Sequence, residues 1–421
     1  MFDGFIKFFN FFNQELLTDV LYILTILAPF WLPILLWKVF WKLWVDAIRS
    51  EFHFKQKYIV VEIKLPKENF KSPRAMELFL NVLHQTGGES TWFDKYWLGK
   101  TRTWWSLELV SINGQVKFFI WMRASWKPLV ESGLYAQFPN IEVHEAKDYA
   151  LDVNFDPREL NIWGCDFKLD KPDPYPIRTY VDYGLDDDPK EEYKNDPLLN
   201  VIEFLGSLKQ GEQGWIQIVI RAHKKEQRKP GHLFKQTDAW KDDAQRIINQ
   251  ILIRDPKTKS PAQMSETGYP ITAKSTKGEE ETVLAIERSI SKLPFDTGIR
   301  ILYIAKRDVF NPTNIAGLNS WLNPFGSETL NNFKRQGGQW STTFDYPWQD
   351  FKEFRQNRMR AELLQTYKRR SFFHAPYVGS TFVLNTEELA TIYHFPGQVV
   401  QTPSLVKVTS KKSEPPANLP I

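Results

Sequence analysis

The chain has 421 residues, with 54 Lys+Arg against 50 Asp+Glu, 42% hydrophobic residues, 15% aromatic residues and one cysteine. That hydrophobic share excludes a wholly disordered or collagen-like chain, and the length suggests two or three domains with real cores. A net charge of +4 is too small to mark a dedicated nucleic-acid binder. The lone Cys165 excludes an internal disulfide and a cysteine-rich zinc site, so the body needs no oxidising compartment.

Val20 to Trp37 (VLYILTILAPFWLPILLW) is a run of eighteen residues without a formal charge. At about 1.5 Å per residue it spans about 27 Å, close to a bilayer core of about 30 Å. Eleven of the eighteen are Leu, Ile, Phe or Val, which together favour insertion. Pro29 and Pro33 kink such a helix without forbidding it. Trp31, Trp37 and Trp41, with Trp44 beyond, form an aromatic belt toward its far end. A cleaved signal peptide fits poorly: the apolar core starts late, runs long, and is followed by Lys38 and Lys42 rather than small residues. Basic residues after the span outnumber the single Lys7 before it. The expected orientation therefore places the body in the cytoplasm, on a single-pass protein of the cytoplasmic membrane. Ahead of the span, the Phe-rich FDGFIKFFNFFNQELL reads as an interfacial or short re-entrant helix. The anchor thus covers residues 1–50, with the spanning helix over about 17–44.

The body reads as α+β. Tyr58–Leu65 is a strand; Ser72-Pro73 starts a helix carrying Met76, Phe79, Leu80 and Leu83. Asn113-Gly114 joins Thr103–Ile112 to Gln115–Met122 as a half-buried hairpin. A second helix from Ser125 and a short strand at Asn140–Ala146 complete the order βαββαβ, the ferredoxin-like split βαβ plan, within residues 51–150. A second ferredoxin-like unit with helical insertions is expected over 151–395. It has strands near 161–170, 215–220, 300–305 and 381–384, and helices from Asp196 and over 236–253 and 280–293. Residues 255–278 and 407–418 read as flexible, and 396–421 as an extended tail.

No nucleotide-binding P-loop, dinucleotide glycine fingerprint, zinc-protease HExxH or nucleophile elbow is present, so neither ATP hydrolysis nor a cofactor is expected. The aspartates at 186–188 read as a solvated acidic loop, the histidines as structural, and Cys165 as a small core hydrophobe. Candidate contact residues for phosphate, lipid or nucleic acid are Arg221, Lys224, Lys225 and Arg228 in one basic stretch. Arg355, Arg358, Lys368, Arg369 and Arg370 are the others, on a helix at 348–370. DNA binding stays open, although the hairpin strand lacks the aromatic RNP1 pattern of RNA-recognition sheets.

Four strings carry a family resemblance: LYAQFPNIEV (134–143), DPLLNVIEFLGSLKQGEQGWIQIVI (196–220), FVLNTEELATIYHFPG (382–397) and EPPANLP (414–420). With the preceding span, they resemble the N-terminal region of uncharacterised bacterial membrane proteins associated with type IV secretion or conjugation. In fused members of that family a DNA-translocase-like P-loop ATPase follows the last string, whereas this sequence ends at Ile421. The resemblance implies a non-enzymatic, membrane-anchored accessory half that docks or orients a separate ATPase, and it carries over no catalytic residue. A DNA-contacting module, a structural envelope protein and an enzyme, which would need a convergent polar cluster in a pocket, are the alternatives, and a homo-oligomer is a further partner expectation.

Overall fold

A computed structural model describes residues 14–66, 71–186, 195–224, 227–228, 236–252, 276–337, 340, 344, 346 and 348–396. The expected interfacial segment before residue 14, residues 255–275 of the stretch expected to be flexible at 255–278, and the tail beyond 396 lie outside the described residues, whereas 276–278 cap and begin a helix. The chain divides into two compact units: residues 1–55 with 89–101, and residues 56–88 with 102–421.

In the first unit, α1 (Gln14–Phe54) runs through Pro29 and Pro33 as one helix. It carries no formal charge from Val20 to Trp37. Leu21, Ile23, Ile26, Phe30, Ile34 and Leu36 are exposed, and by length and composition α1 is able to cross a membrane. The segment 89–101 packs on its later turns. Thr91 caps the short α3 (Trp92–Tyr96) by accepting from the Asp94 N–H, and Trp41 and Trp44 meet Trp92, Tyr96 and Trp97 ring to ring. The Trp44 indole N–H donates to the Tyr96 carbonyl at 3.1 Å. Gly99 makes the close approach possible: its φ is +61°, and a Cβ there would lie 2.4 Å from the Ile48 carbonyl oxygen.

The second unit holds a nine-stranded antiparallel sheet. Its main strands are β1 (Tyr58–Lys64), β2 (Trp104–Ile112), β3 (Gln115–Arg123), β4 (Glu142–Ala146), β5 (Leu160–Leu169) and β6 (Glu212–Ala222). A separate small ribbon joins β7 (Gln227–Arg228) and β8 (Gln236–Thr237), and the large sheet is completed by β9 (Pro294–Lys306), β10 (Phe333–Arg335) and β11 (Phe382–Asn385). The neighbour order is β10-β5-β9-β6-β2-β3-β1-β4, with β11 also on β9. The sheet therefore continues across the expected boundary near residue 150, because β2 and β6 pair from Trp104↔Arg221 to Ile112↔Gln213.

One face carries α2 (Pro73–Leu83), α4 (Lys127–Gln137) and α5 (Pro197–Gly206), whose Phe79, Leu134 and Ile202 pack with Ile120, Leu107 and Ile218. On the same face lies α10 (Thr386–Ile392), buried along its whole length. The helices α6 (Ala239–Ile251) and α7 (Lys277–Ser291) pack on one another through Ile248 and Ile286, and α8 (Pro312–Asn319) lends Leu318 to the main core. The opposite face is covered by α9 (Phe354–Lys368), whose Leu363, Leu364 and Tyr367 contact Trp215, Val219 and Leu302. This corrects the half-buried hairpin expected at residues 103–122: β2 is buried on both sides, since α9 closes the face that alternation would leave wet.

Candidate functional site

The face beneath α9 contains a buried polar row. Glu108 on β2 lies opposite Gln217 on β6, Gln217 opposite Arg300 on β9, and Arg300 opposite Asp166 on β5. All four are buried. Arg300 donates from Nε to Asp166 Oδ1 at 2.7 Å and from Nη2 to Oδ2 at 3.2 Å, with its guanidinium over the rings of Phe372 and Tyr377. The Tyr377 hydroxyl donates to Asp166 Oδ2 at 2.7 Å, and burial beside that carboxylate pushes the phenol pKa up.

At the other end Glu108 receives four side chains. Ser106 and Tyr149 hydroxyls donate at 2.7 and 2.8 Å, Gln217 at 3.3 Å, and Arg370 bidentately at 2.9 and 3.2 Å. Arg370 also reaches both oxygens of Asp148. Burial would lower the Arg370 pKa, but the surrounding carboxylates outweigh it and hold the guanidinium charged. Arg370 thus belongs to the interior, which corrects its expected place on the contact face: both edges of its guanidinium are occupied by carboxylates.

The same seam fixes the C-terminal end of α9 and leaves its N-terminal end outside. Asp350 caps that end, accepting from the Arg355 and Gln356 N–H groups at 2.8 Å each. Around it Trp348, Phe351 and Phe354 are 79%, 77% and 73% exposed, and Tyr346 stacks on Trp348 with ring centroids 4.8 Å apart. Lys352 and Glu353 adopt left-handed backbone angles (φ +52° and +56°), strain of the kind that collects at functional turns. The Lys352 ammonium lies over Phe351 and the Arg355 guanidinium over Phe344.

The remaining candidates separate by burial. Arg358 is exposed and paired with Glu362 at 2.9 Å, Arg369 is exposed, and Lys368 is half-buried. Partial burial draws the Lys368 pKa down against the pull of Asp148. Arg221 is half-buried, donating to Asp296 at 2.8 and 3.2 Å. His223 Nδ1 approaches the other Asp296 oxygen at 2.6 Å. Lys224 is half-buried near this cluster; Lys225 and the side chain of Arg228 lie outside the described residues. The structure therefore brings Arg355 and Arg358 together on one exposed tip and leaves Arg221 in an ion-pair cluster. In the anchor, Val20, Trp31, Trp37 and Lys38 are exposed, and Trp41 is half-buried against 92–96.

Cys165 is buried, as its sequence setting suggested. Among the described residues, no group of three or more His, Cys, Asp or Glu side chains could hold a metal ion. The polar row escaped the sequence reading. Its only signal is a charged or polar residue midway along each apolar strand, as in SLELV, WIQIVI and GIRILYIA.

These features define a mixed α+β protein: a large antiparallel sheet, an apolar N-terminal helix and an exposed basic aromatic tip. The chain belongs to the family described as DUF8128, a domain of unknown function, whose profile matches residues 48–407. No curated protein matches the sequence.

Proposed function

We propose that this protein is a non-enzymatic, membrane-anchored scaffold of a type IV secretion or conjugation-like apparatus, which docks a P-loop ATPase at the cytoplasmic membrane. The observation that carries the reading is the tip at 346–358. Its aromatic side chains are exposed while the helix behind them is locked into a buried ionic seam, so a rigid surface is offered to a partner. Lys352 and Arg355 give that surface a basic rim, suited to an acidic partner. The exposed apolar turns of α1 support one membrane span, and the basic residues that follow it in the sequence favour a body in the cytoplasm. In this reading the body is two ferredoxin-like units fused edge to edge, β4-β1-β3-β2 and β6-β9-β5, joined through the second strand of each.

The test is co-purification of the full-length chain from solubilised membranes, with Trp348→Ala/Phe351→Ala as the comparison. Recovery of an ATPase with the wild type and its loss with the double variant supports the reading; a wild-type complex that never contains an ATPase sinks it. A second reading, contact with single-stranded nucleic acid, draws on the Tyr346–Trp348 stack beside Arg355. It requires steeply salt-dependent binding that charge reversal at Arg355, Arg358, Lys368 and Arg369 abolishes. A structural envelope protein, the third class, would self-assemble without either partner.

A further inference from the structure

The geometry points to a binding site for an anionic phospholipid headgroup, built where the segment 89–101 folds onto α1. This inference rests on the membrane reading above and deepens it. An open groove of about 570 Å³ runs along the last turns of α1, lined by Trp37, Trp41, Lys38, Lys42, Asp46, Arg49 and Tyr96 among others. Three of these side chains are cationic and one is a carboxylate, so the groove complements a phosphate. Arg49 adds a specific donor: its Nε is buried and has no hydrogen-bond partner among the described residues. A phosphate oxygen entering the groove would satisfy it.

The height of the groove agrees with that ligand. Leu43 is the last large exposed apolar residue before the packed turns, and Trp41 and Trp44 stand beside it. Aromatic residues at this position mark the boundary of the hydrocarbon region. From Trp44 to Arg49 the helix rises about 8 Å, which matches the headgroup layer of about 5–8 Å left on each side of the bilayer core. The folded-back segment turns the same chemistry outward. Trp92, Phe93 and Trp97 are 63%, 51% and 57% exposed, and Leu98 is 41% exposed, an apolar plate continuous with the belt of α1. The charges of the segment, Glu89, Asp94, Lys95 and Lys100, sum to zero, and Asp94 pairs with Lys100 at 2.8 Å. A soluble protein has little reason to hold four large apolar side chains in water beside a helix of this kind. At an interface they lie in the boundary between chains and headgroups.

The experiment uses the full-length protein reconstituted into vesicles of phosphatidylcholine alone and of phosphatidylcholine with an equal part of phosphatidylglycerol. The protein is then released in mild detergent and weighed by native mass spectrometry. The wild type is expected to retain phosphatidylglycerol in preference to phosphatidylcholine. Lys42→Gln/Arg49→Gln is expected to lose that preference by roughly tenfold or more, the effect of two basic side chains at a membrane surface. Equal retention by wild type and variant, or no preference for the anionic lipid, overturns the site. Alkaline washing of the same vesicles reads the underlying span separately. A variant that stays in the pellet but has lost phosphatidylglycerol supports the site, whereas a wild type released by alkali overturns the span and the site together.

Discussion

Arg370 and Glu108 are separated by 262 positions in the sequence and joined by two side-chain hydrogen bonds, both partners fully buried. The pair ties the end of α9 to the middle of the sheet, and Asp148 closes the other edge of the guanidinium at 2.9 Å. Removing the cation leaves the buried Glu108 carboxylate and the half-buried Asp148 carboxylate without a counter-charge, with only the neutral donors Ser106, Tyr149 and Gln217 left on Glu108. Arg370→Met should therefore destabilise the second unit by about 3–5 kcal/mol, and the added substitution Glu108→Gln should recover part of the loss. Urea unfolding of the full-length chain in detergent, followed by tryptophan fluorescence, measures both. A loss below about 1 kcal/mol for Arg370→Met, the size of a surface pair, would show that the seam does not hold α9.

The exposed end of that helix should behave oppositely. Trp348, Phe351 and Phe354 make little contact with the core, so Trp348→Ala/Phe351→Ala should shift unfolding by no more than about 0.5 kcal/mol per site. The same variant should lose its partner in co-purification. A large fall in stability would mark these rings as packing residues and remove the tip from consideration as a docking surface.

What could be read from the sequence was local. Asn113-Gly114 carries positive φ values of 54° and 79°, as a two-residue hairpin turn requires, and Ser72-Pro73 and Asp196-Pro197 start helices where expected. What could not be read depends on residues far apart in the chain. Ser106 and Glu108 alternate with Leu107 and Leu109, a pattern that places them in water. They are instead covered by a helix some 250 residues later, and only pairing across four strands aligns Glu108 with Asp166. The fold-back of Trp92 and Trp97 onto α1 is hidden for the same reason: nothing in WFDKYW distinguishes an aromatic core segment from one that seals a membrane helix.

Gly99 is the residue on which that fold-back turns. A side chain there would meet the Ile48 carbonyl at 2.4 Å, and the backbone stands at a φ of +61° that L-residues rarely adopt. Gly99→Ala should release residues 89–101 from α1 while the second unit keeps its stability. Limited proteolysis reads the release as new cleavage within 89–101, and the unfolding midpoint reads the body. Unchanged protease resistance would mean that the segment is held by its rings alone.

The final segment of the body should respond to pH. His394 is buried with Nε2 at 2.8 Å from Asp196 and Nδ1 at 2.9 Å from the Ala390 carbonyl, so both ring nitrogens face acceptors and the imidazolium fits. Burial draws its pKa down, but the charge of Asp196 and the hydrogen bonds outweigh this and leave it above the ordinary value of 6.5. The stability this contributes is complete below that value and is lost as pH rises through the folded pKa. Glu388 caps α10 from within the core, accepting from the Asn385 and Ile177 N–H groups at 2.8 and 2.9 Å. Burial pushes its carboxyl up to about 8, with Glu387 and Asp173 adding to the rise and the two N–H groups opposing it. A carboxyl raised from 4.5 costs stability as pH climbs from there to about 8. Both groups thus weaken β11 and α10 in the same direction between about pH 6.5 and 8. Asp196, held low, opposes this only in acid, where its contribution is lost. Hydrogen exchange over residues 382–396, corrected for the intrinsic rate, should show protection falling across that window. Glu388→Gln should flatten one part of the fall and His394→Gln the other. Protection that stays level or rises from pH 6.5 to 8 would mean that neither group titrates in the folded chain.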